Sequence, residues 1–212
     1  MLTIKLFEFS PIQENTYILY NEFNDCIIID PGCYFDAEKD ELVGYISANN
    51  LIPKMLINTH CHLDHVFGNK FISEKYNLTL QIHENEKAVL AFAPASGLMY
   101  NMPFDNYKGD VVLLNAGDTI LLGKDVIKVL LVPGHSPGSL SFYCAEDKFV
   151  VSGDALFKNS IGRTDLPGGN HNQLIKSVKE QLLTLPEETL VYSGHGAVTK
   201  VGEEKRNNPY LN

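Results

Sequence analysis

Four apolar runs in this chain end alike, each leading into a short turn that presents a histidine or an aspartate. They are MLINTHCHLDH (55–65), LLVPGHSPGS (130–139), VVSGDALF (150–157) and VYSGHGAV (191–198), and in three of them the turn contains glycine. A strand end is where a rigid sheet can hold side chains and where loops carry function. The fold therefore has to bring these ends together. Five of the seven histidines lie at them, which leaves His83 and His171 as bystanders.

The remaining pattern fits sheets flanked by helices. LTIKLFEF and TYILYNE alternate, and CIIID is a continuous apolar run, with turn signals at Ser10-Pro11, 21–25 and Pro31-Gly32 between them. The spacing predicts a helix over 36–49, with acids in its first turn, and a second in VFGNKFISEKYN. LTLQIH reads as a strand and NEKAVLAFA as a short helix. Residues 94–109, rich in Pro, Asn and Gly, are predicted as a long loop walling a site, with Tyr100 facing the pocket. Strands return at DTILL, IKVLLV, LSFYCA and KFVVSGD, a helix covers 171–185, and TLVYSGHG closes the series. Two runs of strands with interspersed helices predict an α/β sandwich, two central sheets with helices outside, in one domain over 1–212.

Composition narrows the function. The chain is 44% apolar and 20% charged, as expected of a globular protein with a sizeable core. Its formal charge of −9 and its lack of Lys/Arg clusters argue against nucleic acid or anionic lipid as partners. No run approaches the ~18 apolar residues of a membrane span, and no leader pattern opens the sequence. Cysteines 26, 33, 61 and 144 form no C-x-x-C pair, so reduced thiols in a cytoplasmic protein are expected, with Cys61 in a packing role.

The cluster NTHCHLDH carries the chemistry. Neutral imidazole and carboxylate are the usual ligands of zinc, iron and manganese, whereas crowded imidazoles without a cation repel one another once protonated. In an extended segment His60, His62 and Asp64 alternate onto one face, and His65 follows where a helix would start. One short segment then offers two ligands to one ion and two to its neighbour. His135 and His195 complete a shell each, and Asp154, with two oxygens, bridges. The expected sets are His60, His62, His135 and Asp154 on one ion and Asp64, His65, His195 and Asp154 on the other. Two ions ~3.5–4 Å apart activate a shared water, so the nucleophile is a bridging hydroxide held with the help of Asp64 and Asp154 rather than a side chain. Zinc is the first choice of metal, with iron and manganese as alternatives.

These residues resemble the metallo-β-lactamase superfamily, whose signature T-H-x-H-x-D-H is followed by distant His, Asp and His. The resemblance runs from Asn15-Thr16-Tyr17 and IIIDPG to the closing GHG, and it implies an αββα four-layer sandwich with the site at one rim. Histidine rather than arginine after Asp64 disfavours antibiotic hydrolysis. GDALFKNSIGRTDLPGG (153–169) and SGHGAVTKVGEEKRNNPYL (193–211) are similar to the glyoxalase II group, particularly its short bacterial members, which implies hydrolysis of thioesters of the S-lactoylglutathione type. Ending soon after GHGAVT, the chain is expected to lack the helical extension that contacts glutathione in longer members. Arg163, in IGRTD, stands where those members place a basic residue facing a substrate carboxylate; a structural pair with Asp165 is the competing role.

The runner-up is a persulfide dioxygenase, which IGRTD also resembles and which would hold one iron on His60, His135 and Asp154. Lactone or other ester hydrolysis on the same dinuclear site is a further alternative. The acidic charge and the absence of basic patches argue against the superfamily's nucleases.

Overall fold

The computed structural model describes residues 1–211. Six strands form the first sheet in chain order: β1 (Thr3–Phe9), β2 (Glu14–Tyr20), β3 (Asp25–Ile29), β4 (Ile52–Ile57), β5 (Leu80–Ile82) and β6 (Val111–Leu113). Its first three strands pair antiparallel, and β3 through β6 run parallel. The second sheet begins with an antiparallel meander of β7 (Thr119–Leu122), β8 (Asp125–Leu131), β9 (Leu140–Cys144) and β10 (Phe149–Gly153). A two-stranded hairpin follows, β11 (Leu156–Phe157) with β12 (Ser160–Ile161). The second sheet then resumes with β13 (Leu190–Ser193), parallel to β10, and β14 (Thr199–Lys200) at its edge.

Strand periodicity sorts the apolar side chains into three layers. Ile27 and Ile29 of β3 face inward against Val129, Phe142 and Val151 of the second sheet, which makes the core between the sheets. Cys26 and Ile28, one residue out of phase, face the other way. There they pack under α1 (Asp36–Ala48) through Leu42 and Ile46, and under Ile72, Leu90 and Ala93 of later helices. The short helix α2 (Leu63–Val66) precedes α3 (Asn69–Tyr76), and α4 spans Lys87–Met99. On the far side, Tyr143, Val150 and Val191 receive Leu174 of α5 (His171–Ser177) and Val201 of α6 (Val201–Asn207). The order helix, sheet, sheet, helix is the four-layer sandwich expected of the sequence. Among the described residues no helix is long and apolar enough to cross a membrane.

The structure departs from the sequence expectations locally. The loop predicted over 94–109 begins later, because α4 continues through Pro94 to Met99. Leu90, Ala93 and Gly97 keep an unbroken buried stripe across the proline, and this packing outweighs one lost backbone hydrogen bond. The helix predicted in VFGNKFISEKYN is split at Gly68, where the backbone passes so close to Pro31 and Cys33 that a Cβ would lie 2.7 Å from the Pro31 carbonyl oxygen and 2.4 Å from the Cys33 sulfur. The helix predicted over 171–185 is α helical only to Ser177 and continues as a wider π turn over Val178–Leu182. The short strands β6, β11, β12 and β14, and α6, carry too few residues to show a period.

Candidate metal centre

The first sheet delivers the N-terminal part of the site. After β4, Asn58 and Thr59 lead into His60, His62 caps α2 in an extended conformation, and Asp64 and His65 lie in the first turn of that helix. The alternation expected for His60, His62 and Asp64 therefore holds for the two histidines only. From Leu63 onward the helical turn swings Asp64 and His65 together toward a second group. The other residues come from the second sheet: His135 from the β8–β9 connection, Asp154 just after β10, and His195 just after β13.

Their donor atoms converge in two adjacent groups. In the first, His62 Nδ1 lies 2.9 Å and His60 Nε2 3.1 Å from His135 Nε2. In the second, His195 Nε2 is 3.2 Å and His65 Nε2 3.9 Å from Asp64 Oδ2. Asp154 stands between the groups, with Oδ2 3.5 Å from His135 Nε2 and 3.6 Å from His195 Nε2, and Oδ1 3.5 Å from His65 Nε2. All seven residues expected from the sequence meet at one rim.

In four of the five histidines the outer ring nitrogen has an oxygen to donate to, which assigns the tautomers. His135 Nδ1 donates to the Arg163 carbonyl at 2.7 Å and His195 Nδ1 to the Gln13 carbonyl at 3.0 Å. His65 Nδ1 donates to Asp30 at 3.1 Å. Thr59 Oγ1 gives its own proton to Asp30, so at 3.1 Å it accepts from His60 Nδ1. With the outer nitrogens protonated, the Nε2 lone pairs of these four histidines point inward. Lone pairs of His60 and His135 thus face each other at 3.1 Å, and His65 Nε2 and Asp154 Oδ1 are buried without any hydrogen-bond partner. Such an arrangement costs free energy unless a cation lies at its focus. The donor set fits two divalent metal ions, one at each group.

The electrostatics of the two groups differ. Burial pushes the pKa of His60 and His135 down and that of His62 to about 4, and neighbouring imidazoles add to the shift in His60 and His62, so all three are neutral and free to ligate. In the second group burial opposes charge, but carboxylates and imidazoles favour one another's charged forms, so that without a cation a proton on Nε2 takes its place. Asp64 and Asp154 are held below the usual carboxylate range by His65, and His65 and His195 are raised by Asp154 and Asp64.

Three acidic residues without an assigned role in the sequence support this centre. Asp30, at the end of β3, accepts from Thr59 N (2.6 Å), Thr59 Oγ1 (2.5 Å) and Asn58 as well as His65. Although it lies near His60 and His65, its oxygens are already used in orienting them. Glu86, fully buried, accepts from Cys61 N at 2.8 Å, Ser136 Oγ at 2.6 Å and Gly138 N at 2.7 Å, and so ties the loop of His60 and His62 to the loop of His135. Glu14 is buried 3.7 Å from His65, and its desolvation raises the carboxyl well above the ordinary value. Gly194 is required where it stands, since a Cβ would lie 2.1 Å from Asp154 Oδ1. Cys61 is buried in the helix-side core, as expected. His83 caps the turn before α4 and His171 opens α5, both outside the centre.

The centre opens into a cavity of about 420 Å³ walled by Ile12, Leu63, Tyr100, Phe157, Ile161 and Arg163. Arg163 is exposed there and forms a bidentate pair with Asp165, at 2.7 and 2.6 Å.

The fold and this rim of histidines and aspartates define a metal-dependent hydrolase class, and the comparisons agree. The chain matches the metallo-beta-lactamase superfamily over residues 10–195, and it belongs to that superfamily. It is 41% identical over 204 residues to the probable metallo-hydrolase YqgX of Bacillus subtilis (strain 168), covering 95% of this chain and 94% of that one. It is 32% identical over 213 residues to the hydroxyacylglutathione hydrolase GloC of Haemophilus influenzae, covering 100% and 99%. Among solved structures, the BLEG-1 B3 metallo-beta-lactamase superposes with a TM-score of 0.90 at 37% identity, covering 99% of each chain. TTHA1623 in a di-iron-bound form does so with 0.89 at 35%, covering 98% of this chain and 100% of that one.

Proposed function

We propose that this protein is a dinuclear hydrolase of thioesters of the S-lactoylglutathione type. The observation that carries the reading is the second group. Asp64, His65 and His195 gather beside the His60, His62 and His135 group, with Asp154 reaching both. A dioxygenase holding one iron on His60, His135 and Asp154 would leave the three residues of the second group without a task. Likeness to the hydroxyacylglutathione hydrolase GloC supports the substrate class, and likeness to a di-iron protein makes iron a candidate beside zinc and manganese.

His60, His62 and His135 would hold one cation through neutral nitrogens and Asp64, His65 and His195 the other, with Asp154 within reach of both groups. A divalent pair supplies an acidified water and a Lewis acid for the carbonyl oxygen. The protein's part is orientation: Asp30 and the Arg163 and Gln13 carbonyls fix the rings, and Ile12, Leu63 and Phe157 line the cavity in front of them. Water adds to the thioester carbonyl, the C–S bond breaks, and the thiolate departs. Its low basicity removes the need for a strong general acid. Arg163 is the candidate contact for a carboxylate on the thiol.

The test is turnover of S-D-lactoylglutathione by protein loaded with zinc, manganese or ferrous iron, following thiol release and counting metal per chain. Thiol release above ~1 per second with about two metals bound is the expected result. Two metals without thiol release, or one iron with oxygen uptake on glutathione persulfide, would overturn the reading.

A further inference from the structure

A second cavity, of about 270 Å³, adjoins the metal cavity. It lies between α4 and residues 166–168, walled by Ala88, Val89, Phe92, Ala93, Pro137 and Leu166. The two cavities share the wall formed by His62, Leu63, Ser96 and Leu166. No Asp, Glu, Lys or Arg borders the second one among the described residues. Beyond Lys87, α4 contains no charged residue, and Phe92, Leu98 and Met99 stay exposed on it. Apolar surface of this kind, next to a reaction centre, marks a binding groove.

We propose that this groove is the acyl subsite of the enzyme and takes an unbranched apolar acyl group of six carbons or more, since ~150 Å³ suffices for benzene and the groove offers about 270 Å³. The inference rests on the thioesterase reading and adds the substrate class to it. Two directions lead away from a carbonyl at the metals. The one past Tyr100 and Arg163 offers a phenol hydroxyl and a guanidinium, and suits a charged thiol. The one past Leu63 and Leu166 into the groove offers no charged side chain to pair with, and so suits the acyl chain. Hydrolysis is unchanged in its balance: water adds to the carbonyl carbon, the C–S bond breaks, and a carboxylic acid and a thiol leave.

The test compares S-lactoyl-, S-butanoyl- and S-hexanoylglutathione on the metal-loaded protein. Burying each methylene is worth three- to fourfold, so kcat/KM is expected to rise about tenfold from butanoyl to hexanoyl. Ala88→Phe, a substitution on the exposed side of α4 that fills the groove, is expected to abolish the rise while metal content per chain stays the same. A flat or falling series overturns the proposal. Calorimetric binding of hexanoate against butanoate separates the two readings. A preference of about tenfold that is lost in Ala88→Phe upholds the groove even if no thioester is hydrolysed, in which case only the thioesterase reading falls. Equal affinity overturns the groove. A dimer that Ala88→Phe converts to monomer in sedimentation, with no chain-length effect, also overturns it, because the occupant is then a second copy of the chain.

Discussion

The two halves of the metal centre are built on opposite electrostatic plans. His60, His62 and His135 are neutral, carry no carboxylate of their own, and have their two loops tied by the single buried Glu86. Asp64, His65 and His195 are a charged network, anchored through Asp30 on one side and on the other through the backbone around His195. There Asn15 donates to the Ser193 and Gly196 carbonyls, at 2.9 Å each. The first half is geometry held by a clasp; the second is charge held by mutual attraction. Substitutions should therefore act on the two halves differently.

Asp154 belongs to both, so Asp154→Ala should have the largest effect. Metal content is expected to fall from about two per chain toward zero and kcat by a thousandfold or more, given the several kcal/mol that a metal pair contributes. A variant that kept both metals would show the halves to be independent. His195→Ala should act on one half only: about one metal is retained, and activity drops on the order of a hundredfold.

Glu86→Ala addresses the clasp. A ten- to hundredfold loss of metal affinity is expected, confined to the histidine group and read by titrating metal into the metal-free protein. Glu86→Gln should recover part of it. Its carbonyl oxygen can still accept from Ser136 and Gly138, but its amide faces the Cys61 N–H donor to donor. Equal losses in both groups would contradict the assignment.

Acid should separate the halves without any substitution. The folded pKa of His62, about 4, lies below its ordinary 6.5, so between those values the unfolded chain binds a proton that the folded chain refuses. The stability contributed by neutral His62 is complete above pH 6.5 and is lost as pH falls toward 4. His65, raised by Asp154 and Asp64, has the opposite sign: its contribution is complete below 6.5 and lost as pH rises through its folded value. Metal-free protein is expected to lose several degrees of Tm on acidification across the His62 window, and His62→Asn to flatten that slope. The smallest effect belongs to Arg163→Ala. Its pair with Asp165 is solvent-exposed, so Tm should barely move, while KM for a carboxylate-bearing thioester rises a few fold at constant kcat.

The convergence of these side chains could be read from the sequence in large part because the candidate ligands follow apolar strands directly, and strand period and turn glycines are local signals. His60, His62, His135, Asp154 and His195 are of this kind. Asp64 is the exception, since the turn of α2 that aims it depends on packing against the rest of the fold. Glu86 was not legible. In HENEKAV it looks like a helix-start acid, and its role comes from contacts 25 to 52 residues away. Asp30 lies inside the recognised IIIDPG, yet its partners at Thr59 and His65 exist only once β3 and β4 pair. Pro94 misled in the other direction, because a local rule against proline in helices yielded to the buried stripe of α4.

The most direct test is anomalous diffraction at the zinc edge from crystals of the zinc-loaded protein. Two peaks roughly 3.5–4 Å apart are expected, one at the His60, His62 and His135 nitrogens and one at Asp64, His65 and His195, with Asp154 touching both. A single peak, at either group, would contradict the two-metal centre and return the mononuclear reading.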